Sequence, residues 1–200
     1  MNVVKGIIHV HSSHSYDGVH SLDEIARMGR QRGYGFIGMT EHSDTMTLQH
    51  MSEYVAECNA VSSARCLLMP GIEFTCDNGL HLIGLGVERL TQERDPIKIA
   101  EFIGRQGCVS IIAHPRRYNY TIPRELETVV DGIEVWNACY DGRFVPNVSS
   151  LRLLANVRRC NSSVWGYGGQ DLHKITEHPF VELTILCESL TSRAILRSLK

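Results

Sequence analysis

Two short stretches of this sequence pair an imidazole with a second metal-ligating side chain two residues away, His9-Val10-His11 and Asp171-Leu172-His173. Between them lie Glu41-His42, Glu73, His81 and His114-Pro115. Imidazole and carboxylate are the ligands of borderline divalent metals such as zinc, iron and manganese. A lone histidine is ordinarily a satisfied core or surface residue, and one His-x-His says little. Two paired motifs, with His or Glu at three further strand ends, predict a metal centre.

The elements that must bring these residues together read as alternating strands and helices. Val3–Val10 reads as a strand, and Ser21 caps a helix over Leu22–Arg32, with Glu24 completing a capping box. Phe36–Thr40 is the next strand, then a helix over Leu48–Ala64 and a strand over Cys66–Phe74. Asp77-Asn78-Gly79 reads as a hairpin turn into a strand over Leu80–Val87. The pattern continues with a helix at Pro96–Arg105, a strand at Val109–Ala113, a short helix near Pro123–Val130 and a strand at Gly132–Trp136. A helix at Val148–Arg159, strands at Val164–Tyr167 and Val181–Cys187, and a helix from Thr191 complete it. Strands separated by helices predict parallel pairing. About seven strands in so short a chain suggest a small, distorted α/β barrel, with an open doubly wound sheet as the alternative. The histidines and acids fall at strand ends, where parallel barrels gather their active sites. Period-two alternation puts His9 and His11 on one face.

Composition narrows the class. Two hundred residues, 43% of them hydrophobic, suit one domain with a buried core. A net charge of −2 offers no broad basic field, so no long nucleic-acid track is expected. No apolar stretch is long enough to span a membrane, and no signal peptide is visible, so a cytoplasmic protein is expected. Seven scattered cysteines without a CxxC pair read as reduced thiols.

The stretches HVHSSHSYDG, GMTEHSD, GIEF followed by HLIGLG, IIAHPRRY, GIEVWN and GGQDLHK resemble, in order and spacing, the polymerase and histidinol phosphatase (PHP) domain family. The resemblance runs over residues 7–199 and implies a distorted seven-stranded β/α barrel (TIM-like) with two or three divalent metals, zinc, manganese or iron. It implies that His9, His11, Glu73 and Asp171 hold one metal and that Glu73 bridges to a second held by His81 and His114. By the same resemblance, Asp17, His42 and His173 are expected to hold the third. Glu41 stands where the family usually has aspartate. Gln170 stands where serine is common, a change expected to alter hydrogen bonding around Asp171. His14, His20, His50 and His178 match no ligand position, although His14 lies near enough to touch substrate.

Such a centre suits phosphate ester hydrolysis. Three divalent ions against the carboxylates of Asp17, Glu73 and Asp171 leave about +3, a sign that fits a phosphate dianion. Closely spaced metals activate water and stabilise attacking and leaving oxygens. Glu73, His114, Asp171 and His173 are the expected catalytic residues, and Arg117, Arg116 and Arg143 the expected phosphate contacts. The expected partner is a small phosphorylated substrate, whether a small phosphomonoester, a nucleotide or a short oligonucleotide. Two rivals remain: an amidohydrolase-type enzyme, which would want a strand-end lysine where Glu73 stands, and a non-catalytic module stabilised by metal.

Overall fold

The computed structural model describes residues 1–142, 144–175 and 181–200. Strand β1 (Asn2–Val10) leads to helix α1 (Leu22–Arg32), β2 (Phe36–Met39), β3 (Glu41–His42), α2 (Leu48–Val61), β4 (Leu67–Met69), β5 (Gly71–Thr75) and β6 (His81–Leu85). Then come α3 (Pro96–Arg105), β7 (Val109–Ile112), β8 (Gly132–Asn137), the one-turn α4 (Ala138–Asp141) and α5 (Val148–Val157). Strands β9 (Trp165–Gly169) and β10 (Leu183–Cys187) and helix α6 (Ser192–Ser198) end the chain's regular structure.

Local chemistry explains several boundaries. Ser21 and Glu24 form the reciprocal capping box, and Gly33 closes α1 in the left-handed conformation that glycine adopts without a Cβ penalty. The apolar run expected as one strand over Cys66–Phe74 breaks at Pro70, which has no N–H to give to a ladder, so β4 and β5 are separate. The helix expected near Pro123–Val130 is only a 3-10 turn at Leu126–Thr128. It has no side-chain cap, and Leu126 is the residue it buries.

The strands form two sheets, in the orders β10-β1-β2-β4 and β3-β5-β6-β7-β8-β9. Most neighbours are parallel, as expected, but three pairs are not. β5 and β6 form the expected hairpin, while β1 also pairs antiparallel with β10. β6 and β7 are antiparallel although α3 lies between them. The reason is that β6 returns from the hairpin and finishes at the far end of the sheet. Residues 86–95 then climb back, so that the Arg94 carbonyl accepts from the Asp77 N–H at 2.8 Å. Helix α3 descends again to the start of β7.

Ile8, Phe36, Met69, Ile83, Ile111 and Tyr167, drawn from both sheets, share one buried cluster with Ile195, Leu196 and Leu199 at the C-terminus. Full burial of an aliphatic or aromatic side chain contributes about 1.5–3 kcal/mol, so α6 and the Leu199 that follows it are held by three apolar anchors. At the other end of β1, parallel-type hydrogen bonds run from the Gln170 N–H to Ile8 O (3.0 Å) and from the Leu172 N–H to His9 O (3.1 Å). The fold is a mixed α/β structure rich in parallel strands. No helix among the described residues is long and apolar enough to cross a membrane. None of the seven cysteines forms a disulfide, and burial pushes Cys66 and Cys108 up to about 11, which suits core packing rather than nucleophilic chemistry.

Candidate metal centre

The nine expected ligands converge. Glu73, on β5 and only 1% exposed, is the hub. Its Oε1 lies 2.8 Å from His81 Nδ1 and 2.8 Å from His114 Nε2, and 3.6 Å from His9 Nε2. Its Oε2 lies 3.2 Å from His42 Nδ1 and 3.6 Å from His11 Nε2. Asp171 Oδ1 stands 3.4 Å from His9 Nε2 and 3.5 Å from His11 Nε2. Asp17 Oδ2 is 3.2 Å from both His42 Nε2 and His173 Nε2.

These atoms fall into four groups able to hold an ion: His9, His11 and Glu73; His9, His114 and Asp171; Glu73, His81 and His114; and His11, Asp17, His42 and His173. The Glu73-His81-His114 set matches the expected one. The Asp17 set draws in His11, and the expected His9-His11-Glu73-Asp171 set spreads over two overlapping groups.

Tests of fit come from spacing, polar satisfaction and charge. Ligands at about 2.1 Å from a tetrahedral metal sit about 3.4 Å apart, and the His9 and His11 contacts to Asp171 have that spacing. His9 Nε2, His11 Nε2, Glu73 Oε2 and His114 Nδ1 are buried without a hydrogen-bond partner, which is costly unless a ligand satisfies them. Burial alone would raise the Glu73 pKa, but His9, His114, His42 and His81 outweigh it and hold the carboxyl well below its usual range. Asp171 is likewise held low, by His9 and His11 against burial. Burial pulls His9 down, yet Glu134, Asp171 and Glu73 override it and raise its pKa. The field at the centre favours a cation.

Backbone strain concentrates here. Among the described residues six non-glycines have positive φ, and three are His9 (63°), His114 (26°) and Asp171 (52°). Such conformations cost about 1–3 kcal/mol each and cluster at functional sites. His9 sits where the β1–β2 register shifts between Ile8 and Val10. His9 and His11 therefore meet through a bulge rather than the regular alternation expected, with ring centroids 5.3 Å apart.

The loop after β1 is organised by Glu41, whose carboxylate accepts from the Ser12 N–H (3.0 Å) and hydroxyl (2.7 Å) and from the Ser15 hydroxyl (2.5 Å). The Gln170 side-chain amide donates to the Val181 carbonyl. His14 is engaged at both nitrogens, 2.8 Å from His50 Nε2 and 2.9 Å from Glu57 Oε2, so its local contacts leave no free ring nitrogen for substrate. His20 faces Glu24 at 3.6 Å. His178 and Arg143 lie outside the described residues.

The arginines differ. Arg116 donates from one guanidinium nitrogen to the Tyr140 carbonyl, which ties it to that loop. Arg117 is exposed, and its charge acts on Tyr16 and Tyr140, lowering hydroxyl pKa values that burial chiefly raises. Those tyrosines rim the centre, Tyr16 stacked on His42 and Tyr140 with its ring 5.0 Å from His114. Neither was expected from sequence, nor was Glu134, although an acid inside the apolar run Gly132–Trp136 was a visible signal. Glu134 is fully buried and contacts His9, His114 and Asn137.

The PHP domain family profile matches residues 8–148. No curated protein sequence matches the chain at a significant level. Among solved structures, a candidate metal-dependent phosphoesterase from Bifidobacterium adolescentis superposes with a TM-score of 0.64 at 16% identity, covering 97% of this chain and 94% of that one. PsfC from Pseudomonas syringae superposes with a TM-score of 0.70 at 16% identity, covering 99% and 89%.

Proposed function

Because this chain belongs to the PHP domain family, we propose that it is a metal-dependent phosphoesterase acting on a small phosphorylated substrate. The likeness to the Bifidobacterium protein, described as a candidate for that activity, agrees with this reading. The observation that carries it is Glu73: one buried carboxylate with five imidazoles within 3.6 Å. In the same reading the two sheets form one distorted barrel, its ends joined by the hydrogen bonds between the end of β1 and residues 170–172.

We assign His9, His11, Glu73 and Asp171 to one metal, Glu73, His81 and His114 to a second, and Asp17, His42 and His173 to a third, with zinc, manganese or iron suiting these donors. Bound there, divalent ions supply Lewis acidity and activate water for attack on phosphorus. The chain's own residues hold the geometry. Glu73 links the sets, Asp171 and His173 approach from the segment after β9, and His114 approaches from the end of β7. Arg117 and the Tyr16 and Tyr140 hydroxyls offer donors to the non-reacting phosphate oxygens. Little else is needed for in-line displacement.

The test is to reconstitute the protein with zinc, manganese or iron and assay phosphate monoesters, phosphate diesters and amides side by side. Metal-dependent phosphate release, lost in Glu73→Ala, is expected. Amide hydrolysis without phosphate release would instead support an amidohydrolase, and metal binding without turnover on any class would leave a structural module.

A further inference from the structure

Glu134 lies behind the candidate ligands, and every neighbour that reaches its carboxylate is a donor. Oε2 accepts the backbone N–H of His114 at 2.6 Å and the Asn137 side-chain amide at 2.9 Å. Oε1 lies 2.7 Å from His9 Nδ1. A carboxylate only accepts, so Nδ1 carries the proton. That fixes the tautomer in which His9 Nε2, the unpartnered atom facing Glu73 and Asp171, presents its lone pair to the cluster. His9 and His114 are also two of the residues held at positive φ. One side chain on β8 thus fixes a ring at the β1 bulge and a strained turn at the end of β7.

Gly169, on the adjacent strand β9, makes room for it. A Cβ at residue 169 would lie 1.7 Å from Glu134 Oε1, 2.7 Å from its carboxyl carbon and 3.3 Å from the His9 Cβ. Gly169 is not among the glycines with positive φ, so space rather than backbone conformation demands glycine there.

We infer that Glu134 is a positioning residue that orients two ligand-bearing segments through an acceptor-only carboxylate, and that Gly169 is the void that admits it. Asn137 joins the same device, because its Oδ1 caps α4 by accepting from the Cys139 and Tyr140 N–H groups. The position of Tyr140 at the rim therefore depends on Glu134 through Asn137. This inference rests on the metal-centre reading above and concerns how firmly metal is held, whatever ester is cleaved.

The discriminating substitution is Glu134→Gln. It keeps size and hydrogen-bonding length, but its amide offers one accepting oxygen to a site with donors on both sides. Its NH2 group must then face either His9 or the His114 N–H. Losing the partner of a metal-ligating histidine typically weakens metal binding about 10–100-fold, and that loss is expected here. Glu134→Asp keeps an acceptor-only group and should recover part of the affinity. Gly169→Ala should weaken binding similarly. In the Glu134→Ala background, Gly169→Ala should add little, because the group it displaces is gone.

The readout is metal retention in competition with a chelator, using zinc on the full chain, alongside melting curves of metal-free protein. Weakened retention in Glu134→Gln, with the metal-free melting temperature close to the parent's, supports the inference. Parental retention in a folded Glu134→Gln protein overturns it. If Glu134→Gln does not fold, Glu134→Asp and Gly169→Ala decide, and parental retention in both overturns it equally. A parent protein that binds zinc but cleaves no phosphate ester defeats the functional reading and leaves this one standing. A parent that binds neither zinc nor manganese defeats both.

Discussion

The Tyr16 ring lies flat against the His42 imidazole, centroids 4.9 Å apart and planes inclined by 21°, while Tyr16 itself stays 70% exposed. A large exposed aromatic beside an acid that faces two histidines is poorly placed to stabilise the core, so its contribution falls on the site. Stacked aromatic pairs are worth about 0.5–1.5 kcal/mol. Tyr16→Ala should therefore lower kcat/KM about three- to tenfold, with at most a small loss of melting temperature. Tyr16→Phe separates the two contributions: restored activity assigns the effect to the ring, and continued loss assigns it to the hydroxyl as a phosphate donor. An unchanged kcat/KM in Tyr16→Ala would place the residue outside the substrate path.

What could be read from sequence was what is local. Ser21 and Glu24 form their capping box within one helical turn, and Asn78-Gly79 turns the β5–β6 hairpin by its own backbone preference. The candidate ligand residues were legible because their chemistry is unusual for strand ends. What was illegible depended on distant partners. Nothing between residues 86 and 95 announces that this segment climbs the sheet and makes β7 antiparallel to β6. The His9 bulge hides inside an ordinary alternating strand. Glu134 reads as one acid in an apolar run, and its meaning lies in His9, 125 residues away. The family resemblance favours Arg117 over Arg116 as the phosphate contact, but the turn of Arg116 toward the Tyr140 carbonyl is visible only in the fold.

Metal removal should loosen the fold. Glu73 and Asp171 are buried beside each other, and a bound cation is the strongest offset to that crowding. Ligand present at a hundredfold over its dissociation constant stabilises by about 2.7 kcal/mol. Chelation should lower the melting temperature by several degrees, and readdition of zinc or manganese should restore it. Elemental analysis should find two or three ions per chain. One ion or fewer after reconstitution would contradict the multinuclear assignment.

His50 is a control with a twist. It is no proposed ligand, but it sits 2.8 Å from His14, which in turn reaches Glu57 and lies in the loop between His11 and Asp17. A partly exposed hydrogen bond of this kind contributes about 0.5–1.5 kcal/mol. His50→Ala should cost stability of that order while leaving metal content and kcat/KM within about twofold. Losses comparable to Glu73→Ala would give the His14-His50-Glu57 chain a direct role at the centre.

Arg117 provides the sharpest test of how substrate is held. Its guanidinium is exposed and acts on both rim tyrosines, whereas Arg116 next to it is engaged with the Tyr140 backbone. A charge-assisted contact is worth about 1.5–3 kcal/mol, so Arg117→Ala should reduce kcat/KM about ten- to a hundredfold. Arg117→Lys should recover part of this, because the charge remains but the planar fork is lost. Arg116→Ala should act differently, with a smaller kinetic effect that accompanies loosening of the Tyr140 turn. His114 lies three residues before Arg117, so metal content must be measured for each variant before its kinetics are compared. A fully metallated Arg117→Ala enzyme with parental kcat/KM would remove Arg117 from the phosphate site and make Arg143, with the Tyr16 and Tyr140 hydroxyls, the next donors to test.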